Sequence, residues 1–108
     1  MKLVRGIIRE DTFARVADAL QRAGAAGLTV TTGQGRGRHG RTAVFRGTSY
    51  PALDPVCVVE VIADDDSADH IARVMMDHAH TGQPGDGHVL VMAVSECYAV
   101  RTRWLEVA

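Results

Sequence analysis

Apolar residues along the chain switch between two periods, and the switch points divide it into two similar halves. Leu3 to Arg9 is short, rich in Val and Ile and bounded by charge, which predicts a strand. Phe13, Val16, Ala17, Leu20 and Ala23 then recur at helical spacing and predict an amphipathic helix. Asp11 or Thr12 is its expected cap, and Gly24 its left-handed stop. Leu28 to Thr32 alternates again, as a half-buried strand does. The second half repeats the plan. Val56 to Ala63 is an apolar strand interrupted only by Glu60. Ala68, Ile71, Ala72, Met75 and Ala79 form the inner face of a second helix, capped by Asp66 or Ser67. His88 to Val94 is a continuous apolar run suited to a central strand.

The order β-α-β, long loop, β-α-β, with right-handed crossovers, predicts an α+β ferredoxin-like sandwich. Two helices should cover one face of a four-stranded antiparallel sheet, in a single domain spanning residues 1–108. Val58, Ile62, Val89 and Val91 are expected on the uncovered face, and an apolar face of that size predicts an oligomer.

Composition narrows the function classes. A net charge of -1, from 12 basic and 13 acidic groups, argues against bulk attraction to nucleic acid or anionic lipid. The charge is uneven, with Arg36, Arg38, Arg41 and Arg46 forming a basic run and Asp64, Asp65, Asp66 and Asp69 an acidic one. Cys57 and Cys97 form no C-x-x-C, are expected on strands kept apart by the first strand, and read as free thiols. The N-terminal apolar segment is too short and broken for a leader or a membrane span, which predicts a cytoplasmic protein. His78-x-His80 does not share a helix face, so it reads as a solvent-facing pair and not as a metal site. Met75, Met76 and Met92 read as core fillers. No nucleophile–base set and no paired carboxylates in a cleft point to an enzyme.

Two glycine loops carry the candidate chemistry. Gly35-x-Gly37-x-x-Gly40 has dinucleotide-turn spacing, but no capped helix follows it, so a Rossmann reading fails. Thr81 to Val89 holds Gly82, Gly85 and Gly87, which allow positive φ and a nest of N–H groups for phosphate oxygens. Arg101-x-Arg103 adds separated cations. On composition alone, phosphate cradles and plain turns both remain open.

Nearly the whole chain resembles the PII signal-transduction family. The resemblance runs from MKLVRGII through GAAGLTVTTGQGRGR and Arg46-Gly47-x-x-Tyr50. It is strongest at Thr81-Gly82-x-x-Gly85-Asp86-Gly87, which is similar to the family signature T-G-x-x-G-D-G. It implies a homotrimer with adenine nucleotides (ADP, AMP or ATP) between neighbours. It also implies a loop at about 38–54 that meets a target protein, a transporter or an enzyme, with Tyr50 at its tip as the contact. Ile7 and Ile62 would line the adenine side, and Gly27, Leu28 and Thr29 would reach the base from the neighbouring subunit. Gly35, Gly37 and Arg38 would approach the phosphates, and Gly85, Asp86, Gly87 and His88 would wrap ribose and phosphates. Arg101 and Arg103 would reach across the interface from the last strand. The match of both needs a two-residue slip there; without the slip only Arg101 matches.

Three departures bear on the second ligand. His39 stands where the family typically has a glutamine for Mg-ATP with 2-oxoglutarate, and Val56 and His88 stand where it has lysines. Loss of a buried charge partner typically costs about 3–5 kcal/mol. This favours a PII-like branch linked to bicarbonate or carboxysome systems, with Arg38, His39 and His88 as a candidate small-anion site. The alternatives are a conventional nitrogen-regulatory protein sensing 2-oxoglutarate and ATP/ADP, and an RNA-binding ferredoxin-like module. Phe45 and Tyr50 beside the arginines suit RNA, but the strands lack the paired aromatics that stack bases.

Overall fold

A computed structural model describes residues 1–38 and 40–106. The elements are β1 (Lys2–Arg9), a single 3-10 turn at Glu10–Thr12, α1 (Phe13–Arg22), β2 (Thr29–Gly35), β3 (Thr42–Phe45), β4 (Thr48–Pro51), β5 (Asp54–Ala63), α2 (Ala68–Ala79) and β6 (Gly87–Ala93). The main sheet is antiparallel with order β2-β5-β1-β6, and β3-β4 form a separate ribbon. This is the ferredoxin-like α+β arrangement expected from the pattern.

The core lies between the sheet and the helices. Val4 and Ile8 of β1 and Cys57, Val59 and Val61 of β5 pack against Val16 and Leu20 of α1 and Ile71 and Met75 of α2. Facing positions in an antiparallel pair share a side of the sheet. Val4 faces Val91 and Gly6 faces Val89, so Val89 and Val91 lie on the helix side. They were expected on the open face, and the one-residue offset comes from reading an unbroken apolar run that has no period-two signal. The open face instead carries Leu3, Ile7, Val58, Ile62, Leu90 and Met92, with the pair Arg5–Glu60 at its centre.

Local details differ from the sequence reading in instructive ways. Neither expected cap accepts a helix N–H through its side chain. Thr12 Oγ1 instead donates to Arg9 O at 2.9 Å, and Asp11 accepts from Arg9. Before α2 it is Asp64 that accepts from both Ser67 N and Ser67 Oγ, each at 2.7 Å. An extra turn ahead of each helix moves the carboxylate upstream of the helix itself. Gly24 does end α1, with φ +85°. Ala25 N reaches Leu20 O and Gly24 N reaches Gln21 O, the paired bonds of a Schellman stop. Ala19 replaces Ala17 on the buried face of α1.

The long loop carries a hairpin that the sequence reading did not contain. β3 and β4 pair from Thr42↔Pro51 to Phe45↔Thr48, joined by Arg46 and Gly47 at φ 52° and 77°. Two successive positive φ values match the twist of a two-residue hairpin. Its tip is therefore Arg46–Gly47, and Tyr50 sits back along β4 opposite Ala43. Phe45 and Tyr50 share one ribbon face, and the Arg46 guanidinium lies 5.3 Å from the Phe45 ring centroid. Cys97 lies beyond β6, not on a strand, while Cys57 is buried on β5 as expected. Met76 is half-exposed and Met92 lies on the open face, so of the three methionines Met75 is the core filler.

Candidate functional site

The loop after α2 is built around one carboxylate. Asp86 Oδ2 accepts from Thr81 N at 2.8 Å and Gly82 N at 2.9 Å, and Oδ1 accepts from Thr81 Oγ1. The Thr81 hydroxyl, then its backbone N–H, hold the Asp86 carboxyl down at about 2. The carboxylate is thus occupied in folding the loop back on itself. Gly82, Gly85 and Gly87 all take positive φ. His80 follows α2 in extended conformation, with Nδ1 3.8 Å from Asp86 Oδ2.

This loop edges a cleft of about 370 Å³ between the end of α2 and the start of β6, lined by Ile8, Met76, Ala79, His80, Gly87 and Val89, with Asp86 and His88 at its rim. Its floor is apolar and its rim is polar. Arg9 is at the neighbouring end of β1. Its guanidinium is raised above its ordinary value chiefly by Asp11, and the charges of Asp86 and Asp54 add to this.

The glycine-arginine stretch that follows β2 leaves the same end of the sheet. Gly35 closes β2 opposite Asp54, and Val56 lies against it, within 3.5 Å of where a Gly35 Cβ would be. Arg41 is paired with Asp54, Arg36 Nη1 donates to Arg41 O at 2.7 Å, and Ala52 N donates to Arg41 O at 2.9 Å. The foot of the hairpin is therefore clamped. Gly37 and Arg38 stand just outside that clamp, and Arg38 is exposed.

A second cleft, of about 320 Å³, is lined by Ala26, Gly27, Leu28, Thr29, Glu60 and Ile62. Ile62 thus joins Gly27, Leu28 and Thr29, although it was expected beside Ile7. The register explains the separation: Ile7 faces Val58, while Ile62 faces Leu3, four residues further along β1. Glu60, read from sequence only as an interruption in a strand, also borders this cleft. Its Oε2 accepts from Arg5 Nε at 3.3 Å and Nη2 at 3.0 Å.

The expected ligand residues thus fall into two sets. Ile7, Gly35, Gly37, Arg38, Gly85, Asp86, Gly87 and His88 lie at or beyond the Arg9 end of β1. Gly27, Leu28 and Thr29 lie towards its Lys2 end at the edge strand β2, with Ile62 beside them on β5. Gly35, Gly37 and Arg38 leave the other end of that same edge strand, while the Gly85–His88 segment is at the opposite edge, three strand spacings or roughly 14 Å away. The first cleft opens beside α2 and the second on the uncovered face. Arg101 and Arg103 are in neither set. They occupy a turn past β6, closed by Arg103 N to Ala99 O at 2.7 Å, and not a strand. The part of the small-anion site attributed to His39 concerns a residue outside those described. Among the described residues no group of three or more His, Cys, Asp or Glu could hold a metal.

The family model for "Nitrogen regulatory protein P-II" matches residues 1–104. This chain belongs to that family. Among curated members it is 36% identical over 104 residues to "Nitrogen regulatory protein P-II 2" of Methanothermobacter thermautotrophicus, covering 94% of this chain and 90% of the relative. It is 39% identical over 104 residues to "Nitrogen regulatory protein GlnK2" of Haloferax mediterranei, covering 94% and 85%. It is 37% identical over 105 residues to "Nitrogen regulatory protein P-II" of Rhizobium meliloti, covering 94% and 93%. The PII family is regulatory rather than enzymatic, and the names of these relatives agree. No helix among the described residues is long and apolar enough to cross a membrane. Within the PII frame, His80 and Glu60 are the two polar cleft residues that sequence reading missed, beside apolar lining residues such as Ile8 and Met76. The signal for each was positional: a histidine directly before T-G-x-x-G-D-G, and one charge on an otherwise apolar strand.

Proposed function

We propose that this chain is a single-domain, homotrimeric, cytoplasmic PII-type sensor that binds an adenine nucleotide between neighbouring subunits. Occupancy is passed to a partner protein through the hairpin β3–β4, with Arg38 at the foot and Tyr50 on its face. The observation that carries this reading is the division of the ligand residues. One set surrounds a glycine loop suited to phosphates, the other a cleft bordered by Leu28, Thr29 and Ile62 suited to a base. The Gly85–Gly87 loop and the second cleft lie at opposite corners of the sheet, and Gly35 to Arg38 leave the far end of the second cleft's own edge strand, so one ligand reaches all of them only when a neighbour supplies one of the corners. The uncovered apolar face gives the neighbour a reason to stay.

Calorimetry with ADP, run beside sedimentation, tests this. The expected result is a trimer whose ADP affinity falls roughly ten- to a hundredfold in Arg38→Ala, the loss of one charge-assisted hydrogen bond. A stable monomer at micromolar concentration, or unchanged affinity, overturns it.

The second ligand follows from Val56. An apolar side chain packs against Gly35 where the resemblance places a lysine for a dicarboxylate. A smaller anion, bicarbonate being the candidate, then suits the site better than 2-oxoglutarate. The names of the relatives favour the nitrogen-regulatory alternative. Mg-ATP binding measured with and without 2-oxoglutarate separates the two: no tightening supports the carbon-linked reading, and tightening supports the nitrogen-linked one.

A further inference from the structure

The hairpin β3–β4 forms a sheet of its own, and neither of its outer edges pairs with the main sheet. A two-stranded ribbon standing alone is marginal in water, so covering it is favourable. We propose that what covers it is an acidic, partly apolar segment of the partner protein, held by Arg46 and the aromatic pair Phe45 and Tyr50. This inference rests on the reading of the hairpin as the partner-binding element, and adds the chemistry of what it binds.

Charge is divided between this arm and the rest of the chain. Four of the 12 basic groups, Arg36, Arg38, Arg41 and Arg46, lie between Gln34 and Asp54, with Asp54 the one acidic group among 13 in that stretch. The arm is therefore positive on a chain whose net charge is -1. Its one carboxylate is already used, because Asp54 is paired with Arg41. Among the described residues no ion pair includes Arg36, Arg38 or Arg46. Arg36 is turned onto Arg41 O at the foot, and Arg38 is given to the nucleotide, so Arg46 at the tip is the cation left for a partner. The acidic run Asp64, Asp65, Asp66 and Asp69 follows the other end of β5, roughly 30 Å from the foot and well beyond the screening length of about 8 Å. An anionic partner thus meets the arm away from that run.

The register puts Ala43, Phe45, Thr48 and Tyr50 on one ribbon face, and Thr42, Val44, Ser49 and Pro51 on the other. Phe45 is 62% exposed and Tyr50 48%, and they are diagonal neighbours, within reach of each other across the pair. The Arg46 guanidinium lies over the Phe45 ring, 5.3 Å from its centroid. An arginine stacked on a ring keeps its N–H edge for a carboxylate, which it can hold through two parallel hydrogen bonds. The aromatic face thus offers a cation flanked by apolar surface. Its complement is a carboxylate flanked by apolar side chains. A nucleic-acid strand fits less well, because a base stacks on an open ring and one side of Phe45 is already covered.

The test is fluorescence anisotropy of labelled probes with the full chain. The probes are a short Glu-Glu-Leu-Leu repeat peptide, which carries both residue types on each face of an extended strand, a Glu-Glu-Ser-Ser repeat, a Lys-Lys-Leu-Leu repeat and an oligouridylate. The Glu-Leu peptide should bind roughly three- to tenfold more tightly than the Glu-Ser peptide, through added apolar burial. Its binding should weaken as salt rises from about 50 to about 500 mM. Arg46→Glu should lose about tenfold or more, and Phe45→Ala roughly three- to tenfold. Arg46→Lys should fall between, since it keeps the charge without the planar fork. Arg22→Glu, the same charge change on α1, should bind as wild type does. Equal binding of the Glu-Leu peptide by wild type and Arg46→Glu overturns the proposal. So does tighter, Phe45-dependent binding of the oligouridylate, which would assign the face to nucleic acid. ADP calorimetry on the same protein reads the sensor proposal separately. ADP binding without capture of the Glu-Leu peptide overturns the acidic partner alone. Arg46-dependent capture without ADP binding supports the acidic partner and overturns the sensor.

Discussion

Gly87 sits so close to β1 that a Cβ on it would come within 1.8 Å of the carbonyl oxygen of Ile7. Its φ of +102° is also closed to ordinary L side chains. The phosphate-loop candidate and the central strand are thus in backbone contact. Gly87→Ala is expected to cost about 1–3 kcal/mol from the strained dihedral alone, with the clash in addition. It should abolish ADP binding, because the loop must lift off β1. Gly82→Ala, whose Cβ would have open room on the backbone side, should keep binding better. Thermal unfolding and calorimetry on the pair check this, and equal behaviour would remove Gly87 from its role.

Asp86 gives a pH prediction of known sign. Its folded-state value of about 2 lies below the ordinary carboxylate value of 3.8. Its contribution to stability is therefore complete above about pH 4 and lost as pH falls through 4 towards 2. Asp86→Asn should flatten the acid limb of a stability–pH profile in that window. It should leave the profile above pH 5 parallel to wild type. An unchanged acid limb would mean that the loop is not held by this carboxylate.

The pair Arg5–Glu60 stands at the middle of the uncovered sheet face. In a free chain both side chains are partly exposed, and such a pair is worth only about 0.2–1 kcal/mol. In the proposed trimer a neighbouring subunit covers it, and removal of one partner would leave an unpaired buried charge, at a typical cost of about 3–5 kcal/mol. Glu60→Ala should therefore dissociate the trimer at concentrations where Arg5→Leu/Glu60→Leu remains assembled. Sedimentation across a dilution series checks it, and equal weakening of both variants would place the pair outside the interface.

Arg46 adopts φ 52°, a conformation costly for a long side chain, at the first turn position of the β3–β4 hairpin. Arg46→Asn should order the hairpin further, since asparagine before glycine favours this turn. The expected gain is a few tenths to about 1 kcal/mol in hairpin population. Yet Arg46→Asn should weaken partner capture if the guanidinium stacked on Phe45 is part of the contact. Hydrogen exchange at Val44 and Ser49, beside a pull-down, separates turn preference from contact. Unchanged exchange would show that the turn does not limit the hairpin.

How much of this was legible from sequence depends on periodicity. Both helices follow from clear repeats of 3.6 and β2 from alternation, β1, β5 and β6 follow from short apolar runs, and the inner face of α2 matches residue for residue. His88 to Val94 has no period, so the side on which Val89 and Val91 lie could be settled only by their partners Gly6 and Val4. β3 and β4 are four residues each and sit beside a glycine-arginine tract, and Arg-Gly is a weaker turn signal than Asn-Gly. Motif spacing located Gly85, Asp86 and Gly87. It gave no means to see that Asp86 turns inwards on Thr81, because that depends on how the loop closes. Nor did it show that Ile62 belongs with Gly27 rather than Ile7, which is a matter of register.

In the proposed trimer, the diagonal placement of the two clefts has a genetic consequence. A ligand site shared between corners of different chains is encoded by no single polypeptide. Chains carrying Gly87→Ala spoil one corner, and chains carrying a bulky substitution at Gly27 spoil the other, so each variant alone assembles without an intact site. Mixed in one oligomer, a chain of the first kind beside one of the second brings together two undamaged corners. Co-expression should then restore part of the binding that both parents lack, and a defective copy made beside the normal one should silence sites on its neighbours as well as its own.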